Sequence, residues 1–403
     1  MFEAITYRNA IGPGPLIDIG ALAEGLIFYG RVVIAANSAT IEELLTRIPP
    51  FILLSLLRDG RLEIHYMEDH TGVSSDTLSN GRSVHGLIRF SSPAHIIEKV
   101  GPQKFRAAAG NTSQAKIGAS QFTRLLNPLS HSGFDQESLL QTFSEGDTIQ
   151  DAVKALIREV APTFESPNDF RFKVERERNG QFSVDTNIDF SSLNKIYHRV
   201  VPPEHSTITE AYILALVQGA YLASFLAASL NTEIAVHPIE KAVQASAIDS
   251  VVRKYTQSQL QIERFADLTL SGGHAIREAV NSGAVPFASV VKLLDSADKF
   301  RHWLHQQPAD ANLVRAYYQE TIKDSWIAKL PGKSMRWGIF TGIGLGIDAL
   351  GAGGLGTATG VAVSAIDSFL ADKLVGGWKP HQFVERDLKT LFNPVEKVGS
   401  GKG

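Results

Sequence analysis

The chain contains no cysteine at all, which removes disulfides, thiolate zinc sites and cysteine nucleophiles from consideration. A polypeptide of 403 residues with no disulfide suits a reducing compartment, so the cytoplasm is the expected location. The opening residues, Met1-Phe2-Glu3-Ala4, lack the basic stretch and apolar run of a secretory signal, and no export is expected. Charge of one sign is missing too. Lys and Arg total 39 against 42 Asp and Glu, a formal net charge of -3 that carries no nucleic-acid signature. No repeat of solenoid period occurs, and no Gly-x-Ser-x-Gly nucleophile elbow is present.

What is present is a globular composition, 44% hydrophobic and 20% charged, long enough for two or three domains and a large core. Leu26-Ile27-Phe28-Tyr29 and Val32-Val33-Ile34 read as buried strand sequence. Thr40 with Glu43 forms a capping box ahead of Leu44, Leu45, Ile48, Phe51, Ile52 and Leu56 at helical spacing, with Pro49-Pro50 kinking or dividing that helix. Leu62, Ile64 and Tyr66 then alternate with polar residues as in a half-buried strand, and Val84 to Phe90 predicts another. Gly101 to His131, rich in Ser, Asn and Gly, is expected to be irregular or loosely helical.

Thr148 to Val160 has the apolar face of an amphipathic helix. Phe170, Phe172 and Val174, then Asn179-Gly180, then Phe182 and Val184 predict a β-hairpin closed by a type I′ turn, whose mixed-charge outer face reads as solvation. From Ser206 onward the sequence is helical in pattern, beginning with a Thr207 and Glu210 capping box and the apolar run Ala211 to Leu230. That run is long enough to cross a bilayer, yet Gln218, Ser224 and Ser229 and many alanines favour a central buried helix. Helices over 274–281 and 286–305 follow.

The expected fold class is α+β: a small N-terminal α/β layer and a β-hairpin, followed by a mainly α-helical C-terminal half. The expected divisions are 1–130 for the α/β domain, 131–205 for a linker helix and hairpin, 206–330 for a helical domain, and 331–403 for a glycine-rich helical hairpin and tail.

Motifs for chemistry are few. Gly351-Ala352-Gly353-Gly354-Leu355-Gly356 has dinucleotide-fingerprint spacing but lacks room downstream for the remaining strands of such a sheet. Gly332-Lys333-Ser334 resembles the end of a phosphate loop, but Ile327 occupies the position of its first glycine. No cofactor is therefore predicted. Metal-ligating types occur in two places: Glu63, His65 and Asp69 in the N-terminal unit, and Asp298, His302 and His305 at i, i+4, i+7 of a helix. These carry one alternative reading, a metal-dependent hydrolase or nuclease.

The unusual stretch is Trp337 to Val363, with nine glycines and Asp348 as its single charge. Gly338, Gly342 and Gly346 recur every four residues, and Gly356 and Gly360 continue the pattern after a Gly351–Gly354 turn, giving each arm a smooth stripe suited to close packing. The first arm is too short to span a bilayer. Arg336, Trp337 and Trp378 gather at one end as at a membrane interface, which keeps conditional membrane contact or permeabilisation as a second alternative. The leading expectation is a non-enzymatic cytosolic sensor or interaction protein, an effector of a stress or defence system in its most specific version. Its protein partner is unidentified by sequence, and its helical C-terminal half carries the response.

Overall fold

The computed structural model describes residues 2–9, 15–67, 69–91, 95–129, 143, 146–177, 180–199, 201–203, 207–235, 249–270, 275–308, 311–313, 316–317, 320, 380 and 382–392. The glycine-rich stretch 337–363, with Gly338, Gly342, Gly346, Gly356 and Gly360, and its flanks Arg336, Trp337 and Trp378 lie outside them. The described chain is α+β, with one parallel and one antiparallel sheet and a helical C-terminal half. It divides into two compact units, 1–3 with 19–30 and 257–403, and 4–18 with 31–256.

Both sheets belong to the second unit. The parallel sheet has the order β6-β3-β2-β1-β9, formed by β1 (Ala4–Arg8), β2 (Arg31–Ala36), β3 (Glu63–Met67), β6 (Leu126–Leu129) and the two-residue β9 (Glu233–Ile234). Between β2 and β3 the chain forms α2 (Ser38–Arg47) and α3 (Pro50–Arg58), divided at Pro49-Pro50 because the second proline can open a helix but neither can sit inside one. Asn37 is the residue that caps α2, accepting from the Thr40 backbone N–H at 2.8 Å. Thr40 thus lies one turn inside the helix rather than at its cap, because an amide oxygen three residues earlier reaches the same donor.

Residues 101–129 are more regular than their composition predicts. Helix α4 (His95–Ala108), α5 (Thr112–Arg124, capped by Asn111) and β6 fill this stretch, and between α3, α4 and α5 the Phe105 ring meets Phe51 in a T-shaped contact and Phe122 in a tilted one. Polar residues there line the outer faces, while Ala115, Gly118, Ala119 and Phe122 supply a buried stripe.

The antiparallel sheet has the order β4-β5-β8-β7, from β4 (Asp69–Thr77), β5 (Ser83–Ser91), β7 (Phe172–Arg176) and β8 (Phe182–Thr186). The predicted β7–β8 hairpin is present. Pairing of Arg176 with Phe182 and the Glu177 N–H bond to Gln181 O leave three residues in its connection, with Gly180 at φ +74, so it is a three-residue loop and not a two-residue type I′ turn. Phe172, Val174 and Phe182 are buried with α6 (Gly146–Val160) and α7 (Phe190–Tyr197), while the outer face is stitched by Arg171–Asp185 and Lys173–Glu175 ion pairs.

Helix α8 (Glu210–Leu230), capped by Thr209 rather than Thr207, is the apolar run of membrane-spanning length. Ile213, Leu214, Leu216, Val217 and Ala220 enter the core of the antiparallel sheet, whereas Ala223, Leu226 and Ala227 pack with Ala35, Met67 and Ile234 of the parallel sheet. Service to two cores explains its apolarity on every side.

In the first unit, α1 (Ile19–Phe28) contains Leu26-Ile27-Phe28, which the sequence predicts as strand. All ten of its residues are buried, so it has no polar face to reveal a helical period. It packs with the 257–270 part of α9 (Asp249–Leu270), with α10 (Ala275–Asn281) and with α11 (Phe287–His305) around Phe2, Phe28, Phe265, Phe300 and Phe383. A π-helical segment, Gln382–Leu388, continued by Lys389–Phe392, closes this cluster.

Candidate functional site

From β1 the chain builds the parallel sheet outward through β2, β3 and β6, then places β9 on the opposite side of β1. Strand order therefore reverses at β1, and in open parallel sheets the crevice beyond the C-terminal ends of the strands at such a reversal is where ligands bind. Arg8 is the last residue of β1 and sits at this end, 7% exposed, its Nη1 donating to Asn9 O at 3.4 Å. Its guanidinium is a planar fork of donors at this end of the strand. At the end of β2, Asn37 opens α2, and Ser38 Oγ lies 3.2 Å from Tyr66 Oη. The chain after β1 is held against α2 from its far side: Leu16 N–H donates to Glu43 Oε2 at 2.9 Å, and Arg47 Nη1 to Ile17 O at 2.7 Å.

Glu63 and His65 lie at the other end of the sheet. Arg31 Nε and Nη2 each donate at 2.9 Å to the two Glu63 oxygens, and His65 Nε2 stands 3.1 Å from Oε2. The Arg31 hydrogen bonds, followed by that of His65, hold the Glu63 carboxyl below the usual carboxylate range, and the Arg31 guanidinium is raised in turn. Arg31 Nη1 also donates to Leu230 O at 3.0 Å, placing a cation on the last carbonyls of α8. With both carboxylate oxygens engaged, Glu63 works as a joint between β2, β3 and α8. Asp69 opens β4, opposite Ser91.

The three α11 residues point to different partners. Asp298 pairs with Arg301, Gln306 Nε2 donates to His302 Nε2 at 3.0 Å, and His305 Nε2 donates to Phe2 O at 3.2 Å. Asp298 and His302 do line a cavity of about 450 Å³ with Lys299, Trp303, Gln306, Glu320 and Pro380, but His305 does not. Among the described residues no three Asp, Glu, His or Cys side chains converge to hold a metal ion.

One constellation escaped the sequence. On the antiparallel sheet Ser75 Oγ lies 2.8 Å from His85 Nδ1, and His85 Nε2 lies 3.0 Å from Glu210 Oε2. Residues 75 and 85 meet only through the β4–β5 register, and Glu210 arrives with the first turn of α8, 125 residues after the histidine. No sequence spacing announces such a meeting, although a histidine beside Val84 on a predicted strand was a signal to ask what satisfies its ring. The chain matches no family model, no curated protein and no solved structure with which it was compared.

Proposed function

We propose that the protein is a cytosolic sensor and interaction protein whose parallel-sheet module binds a small anionic ligand at the C-terminal ends of β1 and β9, with the helical C-terminal half carrying the response. The observation behind this reading is the buried Arg8 at the point where strand order reverses. Arg matches a phosphate or a carboxylate in a bidentate way. The opening turn of α2 adds backbone donors on the same side of the sheet.

The test is a thermal-shift panel of nucleoside mono-, di- and triphosphates and of small di- and tricarboxylates on the full chain, beside Arg8→Gln. Binding at 100 times Kd stabilises by about 2.7 kcal/mol, a shift of several degrees. An upward shift lost in a folded Arg8→Gln chain is the expected result. No shift across the panel, or a shift that survives the substitution, overturns the reading.

A further inference from the structure

We propose that Ser75, His85 and Glu210 form a second, hydrolytic site, a serine nucleophile with its general base and a positioning carboxylate, acting on small carboxylic esters. Three observations carry it. The first is the pair of distances, 2.8 and 3.0 Å, that joins the side chains in the order hydroxyl, imidazole, carboxylate. The second is the gradient of exposure. Ser75 is exposed, the His85 side chain is 3% exposed, and Glu210 is 25% exposed. The reacting hydroxyl thus meets solvent while the base behind it is shielded.

The third is the protonation pattern. A carboxylate only accepts, so whenever the His85 ring is neutral its bond to Glu210 puts the ring proton on Nε2 and leaves Nδ1 as the acceptor for the Ser75 hydroxyl. That tautomer is the one a general base requires. Strand register supports the pairing: Leu78 N–H bonds to Arg82 O, and counting back along β4 makes 75 and 85 a pair of the kind not bridged by backbone hydrogen bonds. Such pairs bring their Cα atoms to about 4.5 Å, close enough for a serine to reach a ring nitrogen. The same register turns the Ser75 N–H away from β5 to the outer side of β4, the last strand of the sheet.

The chemistry balances without any further reagent. Ser75 Oγ forms a bond to the ester carbonyl carbon as its proton passes to His85 Nδ1, giving an imidazolium held by Glu210. Collapse of the tetrahedral adduct breaks the bond to the alkoxy oxygen, which leaves as the alcohol with that proton. Water, deprotonated at the same Nδ1, then cleaves the acyl-serine to free acid and Ser75.

The experiment treats the full chain with a fluorophosphonate probe and with p-nitrophenyl butyrate, alongside Ser75→Ala and Glu210→Gln. Expected are one probe adduct per chain, mapped to Ser75 by peptide mass, and ester turnover that vanishes in Ser75→Ala. Glu210→Gln lets an amide donate to Nε2, moves the ring proton to Nδ1, and is expected to lower kcat about 10²-fold or more with KM unchanged. Ser75 is exposed, so Ser75→Ala keeps its fold and remains a valid control. Absence of an adduct, an adduct elsewhere, turnover equal in Ser75→Ala, or wild-type kcat in a folded Glu210→Gln chain each overturns the proposal.

Discussion

Gly20, the second residue of α1, offers a test in which structure and helix propensity predict opposite signs. In an ordinary helix, Gly→Ala stabilises by roughly 0.5–1 kcal/mol because alanine surrenders less backbone entropy. Here a Cβ on residue 20 would stand 2.2 Å from the Arg277 carbonyl oxygen and 2.8 Å from Asn281 Cγ. The first atom belongs to the backbone of α10 and cannot rotate aside. Restoring an ordinary separation requires α1 and α10 to part by about 1 Å, which is overpacking of the kind that costs about 1–3 kcal/mol. The Gly20 N–H bond to Asn281 Oδ1, 2.8 Å long, would lengthen as well, and such a bond contributes roughly 0.5–1.5 kcal/mol. The expected result for Gly20→Ala is a net loss of about 1–3 kcal/mol. Urea unfolding should show a lower midpoint, and amide exchange in α1 and α10 should accelerate. A raised midpoint would mean that these helices do not approach through residue 20 and would refute the packing of this unit.

Three further outcomes are expected of this fold. Glu63→Gln should cost about 0.2–1 kcal/mol at pH 7, since the pair is partly exposed. Because the folded-state pKa of Glu63 is depressed, that contribution is complete above the unfolded value of about 4.3 and is lost as pH falls through the folded value, so the gap from wild type should close between urea melts at pH 7, 5 and 3. Gly60→Ala, at φ +65 with no neighbour within 4 Å, should lose about 1 kcal/mol from backbone strain alone, which an unchanged thermal midpoint would contradict. Asn37→Ala should lose about 1 kcal/mol with the cap of α2, while Thr40→Val, which keeps the backbone donor, should lose less in the same melt.

Legibility followed local pattern. The β3 alternation, the division at Pro49-Pro50 and the strands of the β7–β8 hairpin, though not its turn type, are each encoded within about a dozen residues and appear as read. Leu26–Phe28 misled because a helix buried all round offers a strand-like apolar run. The helices of 95–124 were hidden by Ser, Asn and Gly: Asn111 serves as a cap and Gly118 lies in a buried stripe, where packing overrides propensity. β9 is two residues long, and only its parallel pairing with Ile5 and Thr6 makes it a strand. The site residues were harder still. Glu63 and His65 were chosen for their chemistry, yet Arg31 takes up the carboxylate from a strand 32 residues earlier. The meeting of Ser75 and Glu210 with His85 could not be read because nothing but tertiary structure joins them.

Helix α8 ties these results together through its two ends. Glu210 in its first turn meets His85 of the antiparallel sheet, and the carbonyl of Leu230 in its last turn meets Arg31 of the parallel sheet, about 30 Å away along the axis. The two cores it serves share Leu222 and Phe225 as flanking residues, so no break in packing separates them. A helix so placed cannot loosen at one end without disturbing the other. Leu226→Ala, which removes a side chain with no exposure from the parallel-sheet core, should cost about 2–5 kcal/mol. Its signature should be faster amide exchange in β2 and β3 and, equally, in β5 and β8, by about 30-fold at a loss of 2 kcal/mol. Leu214→Ala, at the other core, should give the same pattern. Acceleration confined to one sheet in either variant would show that the sheets unfold separately, and would deny α8 the role of a common strut.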